Sequence, residues 1–162
     1  MKRFFLLLLM INLLTGCMVR ADSSEYDLTF TDRELAGTWD TKSAVLISGL
    51  GKTCDIAGRG AKLSGSTLTL SDEGVYVLSG EFTDMSIVIS AGDKDKVQLV
   101  LNGANITCSS SPAIYAENAD KVFLTAAAGT ENLVSDGTVP IADDSSTTLD
   151  AAIFTRADLC IN

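Results

Sequence analysis

Ile89-Ser90-Ala91-Gly92-Asp93-Lys94-Asp95-Lys96-Val97-Gln98-Leu99 is followed by Ile114-Tyr115-Ala116-Glu117-Asn118-Ala119-Asp120-Lys121-Val122-Phe123-Leu124, and the two stretches align without a gap at an offset of 25 residues. A looser third copy runs through Ala152-Ile153-Phe154 to Leu159 and Ile161. A period in the twenties, built on short alternating apolar strands, marks a solenoid. One repeat is too small to bury its own apolar face, so it must stack on its neighbours. The product is an elongated surface with parallel rows of side chains, which suits polymeric ligands better than small ones.

Within the repeat, the two-residue period of a strand puts Val97, Leu99 and Leu101 on one face, and Val122 and Leu124 take the same places one coil later. Consecutive coils are expected about 4.8 Å apart, the ordinary strand spacing. Working outward, Ala44-Val45-Leu46-Ile47-Ser48-Gly49, Leu63-Ser64-Gly65, Leu68-Thr69-Leu70 and Val75-Tyr76-Val77-Leu78-Ser79-Gly80 read as further strands closed by glycine turns. Asn105-Ile106 matches Asn132-Leu133 at an offset of 27, and residues 136–148 read as a loop that leaves the solenoid. No amphipathic helix is expected after the N-terminal leader. Residues 18–43 are polar and mixed and read as a tether with a short cap.

The first residues form a separate segment. Lys2 and Arg3 precede an apolar run from Phe4 to Leu14, broken by Asn12 and too short for a comfortable membrane span. Leu14-Thr15-Gly16-Cys17 resembles a bacterial lipobox, which makes 1–16 a lipoprotein signal peptide and Cys17 the lipidation site. Several acyl chains on Cys17 would anchor the chain stably at the cell envelope, where one chain holds only marginally. The alternative is an ordinary secretory signal. The expected organisation is signal peptide 1–16, tether and cap 17–43, and solenoid domain 44–162.

The chain carries 21 acidic and 12 basic residues, a formal charge of −9, and loss of Lys2 and Arg3 would make it more acidic still. Phosphate binding needs the opposite sign, so no nucleic-acid partner is expected. There is no histidine, which excludes Ser-His-Asp and Cys-His catalysis and makes the usual zinc sites improbable. Beyond Cys17 there are Cys54, Cys108 and Cys160. Export permits one disulfide among them, and buried unpaired cysteine is the alternative.

The ordered series Asp27-Leu28-Thr29-Phe30-Thr31-Asp32-Arg33-Glu34-Leu35, Gly74-Val75-Tyr76-Val77-Leu78-Ser79-Gly80, Asp95 to Gly103, Gly129-Thr130-Glu131-Asn132, Ala151-Ala152-Ile153-Phe154 and Asp158-Leu159 resembles the bacterial carbohydrate-binding β-helix family related in fold to polysaccharide lyases. The similarity covers roughly residues 25–162. It implies an all-β, right-handed parallel β-helix, calcium binding, and affinity for cellulose and acidic sugars. Family members are generally longer, and this chain stops in mid-strand at Cys160-Ile161-Asn162. On that ground it is expected to be the N-terminal piece of a longer protein. Cys54 and Cys160 depart from the small or β-branched polar residues expected there.

Asp95 and Asp120 fall at equivalent places in successive coils, where stacked carboxylates about 5 Å apart invite a cation. Calcium takes six to eight hard oxygen ligands, and Asp93, Glu117 and Asn118 lie in the same turns. The alternative is neutralisation by Lys96 and Lys121. Asp143, Asp144 and Asp150 form a second acidic group at the loop and its edge. The expected metal set is therefore Asp95, Asp120, Glu117, Asp143, Asp144 and Asp150, with Ca2+ as cofactor. Aromatic rings stack on the C–H-rich faces of sugars. Phe123, between inward Val122 and Leu124, should point outward and be exposed; Tyr115 and Phe154 follow equivalent isoleucines and form an outer ladder or cover a joint. These three are the expected carbohydrate-binding residues. Together the features point to a non-catalytic, calcium-dependent binder of plant-type or acidic polysaccharide. The alternatives are a lyase-like enzyme, for which Arg33, Arg59, Lys94, Lys121 and Arg156 supply a base by type, and a structural or adhesin β-helix.

Overall fold

In a computed structural model, residues 29–137, 141–142 and 148–162 are described. The expected signal peptide, lipobox and Cys17 lie outside them, as do Asp143 and Asp144. The chain forms a β-solenoid of about three turns. One short helix, α1 (Asp32–Leu35), precedes the strands β1 (Val45–Gly51), β2 (Cys54–Ala57), β3 (Ala61–Ser64), β4 (Thr67–Leu70), β5 (Gly74–Phe82), β6 (Ser86–Ser90) and β7 (Lys96–Thr107). After them come β8 (Ile114–Asn118), β9 (Lys121–Ala126), β10 (Leu133–Ser135), β11 (Ile141–Ala142), β12 (Thr148–Leu149), β13 (Ile153–Thr155) and β14 (Asp158–Ile161).

The strands stack into two long sheets, ordered β14-β9-β7-β5-β1-β2 and β13-β8-β6-β4-β3, with β10 added to β7. The first sheet bends. β7 is long enough that its first half pairs with β9, forming the first side of the coil, and its second half with β10, forming the second; the β13-β8-β6-β4-β3 sheet is the third side. The bend falls where the β5–β7 register shifts between Leu78 and Gly80. Gly80 has φ +84°, and a Cβ at that position would lie 2.6 Å from the Gly49 carbonyl oxygen, so only glycine fits the corner.

Inward side chains stack in columns: Val97 on Val122, Leu99 on Leu124, Leu78 on Leu101, Leu68 on Ile87 on Ile114, and Phe82 on Ile106. All belong to one buried core. Each such aliphatic side chain removed from water contributes roughly 1.5–3 kcal/mol, which is what an isolated repeat cannot collect. At the N-terminal edge the parallel order is broken, because β2 runs antiparallel to β1 and β3 antiparallel to β4. Tyr76 sits buried in the adjoining coil, its hydroxyl bonded to the carbonyls of Asp72 (2.8 Å) and Gly60 (3.1 Å); burial pushes its pKa up.

The 25-residue offset holds along the first side, where Lys96 to Leu99 pair with Lys121 to Leu124. It does not hold on the other two. Ile114 pairs with Ile87, not with Ile89, an offset of 27. The connection into β8 is longer, and a two-residue slip leaves every side chain on its own face, so alternation cannot reveal it. Leu133 pairs with Asn105, an offset of 28 rather than the 27 expected for Asn132-Leu133. That one-residue slip turns Leu133 outward, 52% exposed, and brings Val134 against the core.

Two further expectations change. Residues 136–148 contain the antiparallel pair β11–β12, with Ile141 opposite Leu149. The tether is not free from Thr31 onward, as described below, and it contains a helix. Cys54, Cys108 and Cys160 are free thiols, in keeping with the unpaired reading, with Cys108 buried and the other two half-buried.

Candidate functional site

The outer face of the first side is covered. Thr31 and Glu34 form a reciprocal capping box that starts α1: the Thr31 hydroxyl accepts from the Glu34 N–H, and the Glu34 carboxylate accepts from the Thr31 N–H. The segment then crosses the sheet as a strap. Lys121 pairs with the Glu34 carboxylate. Asn162 Nδ2 donates to the carbonyls of Glu34 and Ala36, both at 3.2 Å. Gln98 Nε2 donates to the Thr38 carbonyl at 3.1 Å and to Thr125 Oγ1 at 3.0 Å. Trp39 packs on Val77, Val100 and Ala127. The Lys121 ammonium, aided by the Thr31 bonds, pulls the Glu34 carboxyl from its ordinary 4.5 to about 2, and the Lys121 pKa is raised in return.

Phe123 shows why the strap matters. The register does point it outward, opposite Gln98 and Cys160. Yet it is only 3% exposed, with the Arg33 guanidinium 4.4 Å above its ring and Lys121 at 5.8 Å. The expectation that Phe123 offers an exposed stacking surface is therefore corrected. Strand alternation fixes direction, whereas the covering residue lies in a segment far away in the chain.

Tyr115 and Phe154 occupy the third side. They are register partners on its outer face, with ring centroids 6.0 Å apart and planes at 64°. Thr69 and Val88 continue the row beneath them. Arg156 Nε donates to the Tyr115 hydroxyl at 3.2 Å. Both rings are half-buried, as a ladder requires, so this side carries an aromatic edge-to-face pair on a flat row of strands.

The turns carrying Asp95 and Asp120 are stacked as expected, since the Asp120 N–H donates to the Asp95 carbonyl at 2.9 Å. Their carboxylates do not converge. Asp95 accepts from the Gly92 N–H at 2.8 Å within its own turn, while Asp120 faces Lys96 at 3.6 Å. Asn118 is spent on the Ala91 carbonyl and on Asp93. Glu117 and Asp150 are exposed. Among the described residues no group of three or more acidic or cysteine side chains is placed to hold a metal. Asp95 and Asp120 therefore do not by themselves form a shared oxygen cage.

A cleft of about 440 Å³ lies between the strap and the sheet, lined by Asp32, Arg33, Trp39, Asp40, Val75 and Gln98 among others. None of these residues was singled out as a site by the repeat, because the repeat describes only the solenoid. The readable signal was Thr31-Asp32-Arg33-Glu34, a capping box that announces an ordered helix where a tether was expected.

A family profile described as "Carbohydrate-binding domain-containing protein" matches residues 64–162. A protein of that same description from Acetivibrio thermocellus is 31% identical over 103 residues, covering 63% of this chain and 36% of the relative. A solved structure titled as the polysaccharide lyase-like protein from C. thermocellum, gadolinium derivative, superposes with a TM-score of 0.68 at 28% identity, covering 73% of this chain and 48% of that one. The chain therefore spans less than half the length of either.

Proposed function

The chain belongs to the carbohydrate-binding domain family matched over residues 64–162, and from that premise we propose that it is a non-catalytic module that holds a polysaccharide along the third side of its solenoid. The observation that carries the reading is the in-register pair of Tyr115 and Phe154 on the outer face of the β13-β8-β6 strands. A pyranose presents a C–H-rich face that packs on an aromatic surface, and a polymer presents that face repeatedly along a row. Arg156, bonded to the Tyr115 hydroxyl, puts a cation beside the rings, which favours acidic as well as neutral plant-type glycans.

Binding is favoured over cleavage by what the cationic side chains already do. A lyase needs a free base beside the uronate. Of the five candidate bases, Arg33 lies on Phe123, Lys121 is paired with Glu34 and Arg156 holds Tyr115, while Arg59 and Lys94 stand exposed. Calcium is not drawn into the binding step; of the carboxylates expected to hold it, Asp95 and Asp120 face different partners. The Leu14-Thr15-Gly16-Cys17 sequence supports a lipid-anchored envelope location. Incubation with insoluble polysaccharide tests the proposal: the binder is retained and leaves the polymer intact, whereas a lyase releases chains with ultraviolet-absorbing unsaturated ends.

A further inference from the structure

We propose that the cleft between the strap and the first side is a second sugar site, shaped for one neutral hexopyranose ring of a glycan with Trp39 as its platform. The inference rests on the carbohydrate-binding reading but not on the same residues. Asp32, Arg33, Trp39 and Asp40 all precede the span that the family profile matches.

Three observations converge. First, Trp39 is held in place by Val77, Val100 and Ala127 while it also lines the cleft, so its ring is a fixed apolar wall rather than a mobile surface group. Second, Gln98 is 5% exposed and lines the same cleft. Its amide nitrogen is committed to Thr38 and Thr125, which fixes the amide orientation and leaves the amide oxygen without a partner among the described residues. That oxygen stays accessible from the cleft, where a ligand hydroxyl can donate to it. Third, donors and acceptors stand side by side. Among the described residues the Asp32 carboxylate has no hydrogen bond or ion pair, and the Arg33 guanidinium, seated on Phe123, has no carboxylate partner. Asp40 is oriented by the Lys42 N–H and the Ser43 hydroxyl and keeps lone pairs to spare.

A hydroxyl both donates and accepts, so a polyol ring meets this mixture where an anion does not. Two carboxylates outweigh one guanidinium, which disfavours a uronate. The volume of about 440 Å³ lies within the range of small-molecule clefts, roughly 300–1,000 Å³. Because the strap supplies one wall and the sheet the other, binding requires the strap to be docked.

Trp39 is the sole tryptophan, so its emission reports on this cleft alone. The test titrates the full chain with cello-, manno- and galactotetraose, and with tetragalacturonate, following tryptophan emission and binding heat together. The expected result is a saturable emission change with at least one neutral tetraose and weaker binding of tetragalacturonate. Asp32→Asn and Trp39→Ala should each weaken the neutral ligand by about tenfold in the calorimeter. Trp39→Phe should recover most of the affinity. Absence of any response to all three neutral tetraoses overturns the proposal, as does binding heat without an emission change, or tighter binding of tetragalacturonate. If the chain is still retained on insoluble polysaccharide in those cases, the second site fails and the first stands; loss of retention itself strikes the proposed function.

Discussion

Asn132→Ala should loosen the corner between the first and second sides of the solenoid. The Asn132 Oδ1 accepts from the backbone N–H groups of Gly103 and Ala104, each at 2.9 Å, just before the chain enters β10. Its Nδ2 donates to Thr130 Oγ1 at 3.0 Å, which in turn donates to the Ala127 carbonyl. Gly103 is exposed, and its N–H is hydrated once the side chain is gone. Ala104 is 1% exposed, so its N–H is stranded. An unsatisfied buried donor costs about 1–3 kcal/mol. For a chain of this length each kcal/mol lowers Tm by about 2–4 °C, so the expected fall is roughly 2–12 °C. Asn132→Asp keeps the accepting oxygen and loses only the Thr130 bond; it should sit much closer to wild type. Calorimetric melting of the three proteins is the assay. Equal Tm values for wild type and Asn132→Ala would refute the capping role, and an equal fall in both variants would show that the Thr130 bond, not the acceptor, is what matters.

Acidification should release the strap. A carboxylate whose pKa falls on folding stabilises the folded form fully above its ordinary value and loses that contribution as pH drops through the folded one. For Glu34 the window runs from 4.5 down to about 2, and Trp39 emission should shift to the red across it, with a smaller change in Glu34→Gln. Phe123→Ala should act as a packing variant, lowering stability by about 3–5 kcal/mol as large buried-ring deletions do, with binding at Tyr115 unaffected once folding is restored by lower temperature; an unchanged Tm would contradict its burial. Cys17→Ser should move the protein from the membrane fraction to the soluble fraction, and unchanged membrane association would refute lipidation. Asp95→Asn with Asp120→Asn should leave any calcium-induced rise in Tm as it is in wild type, because the two carboxylates face different partners and do not converge; disappearance of the rise would restore them as ligands.

What was legible in the chain is what period and alternation encode. Val97, Leu99, Val122 and Leu124 could be assigned to one inward face because a strand repeats every two residues and the coil repeats them in register. The same property hid the slip on the third side, since pairing Ile114 with Ile87 or with Ile89 puts it on the same face. Asn132 misled for another reason. It looks like the partner of Asn105 but stands outside the ladder as a cap, so the strand starts one residue later. The outward direction of Phe123 was readable; its cover was not, because Arg33 reaches it from a segment with no part in the repeat. Stacking of the Asp95 and Asp120 turns was likewise readable, while the partners of their carboxylates depend on local turn geometry and on Lys96. The pairing of Tyr115 with Phe154 followed directly from the equivalence of Ile114 and Ile153.

Co-sedimentation of the purified chain with insoluble cellulose and with calcium-free pectate gel tests the central claim most directly. The wild-type protein should pellet saturably with at least one of them, without releasing unsaturated uronides. Tyr115→Ala combined with Phe154→Ala should weaken retention by about thirtyfold, since each ring contributes on the order of 1 kcal/mol. Retention unaffected by that pair of substitutions, failure of the wild type to pellet with either polymer, or sustained depolymerisation would contradict a non-catalytic binding face on the third side.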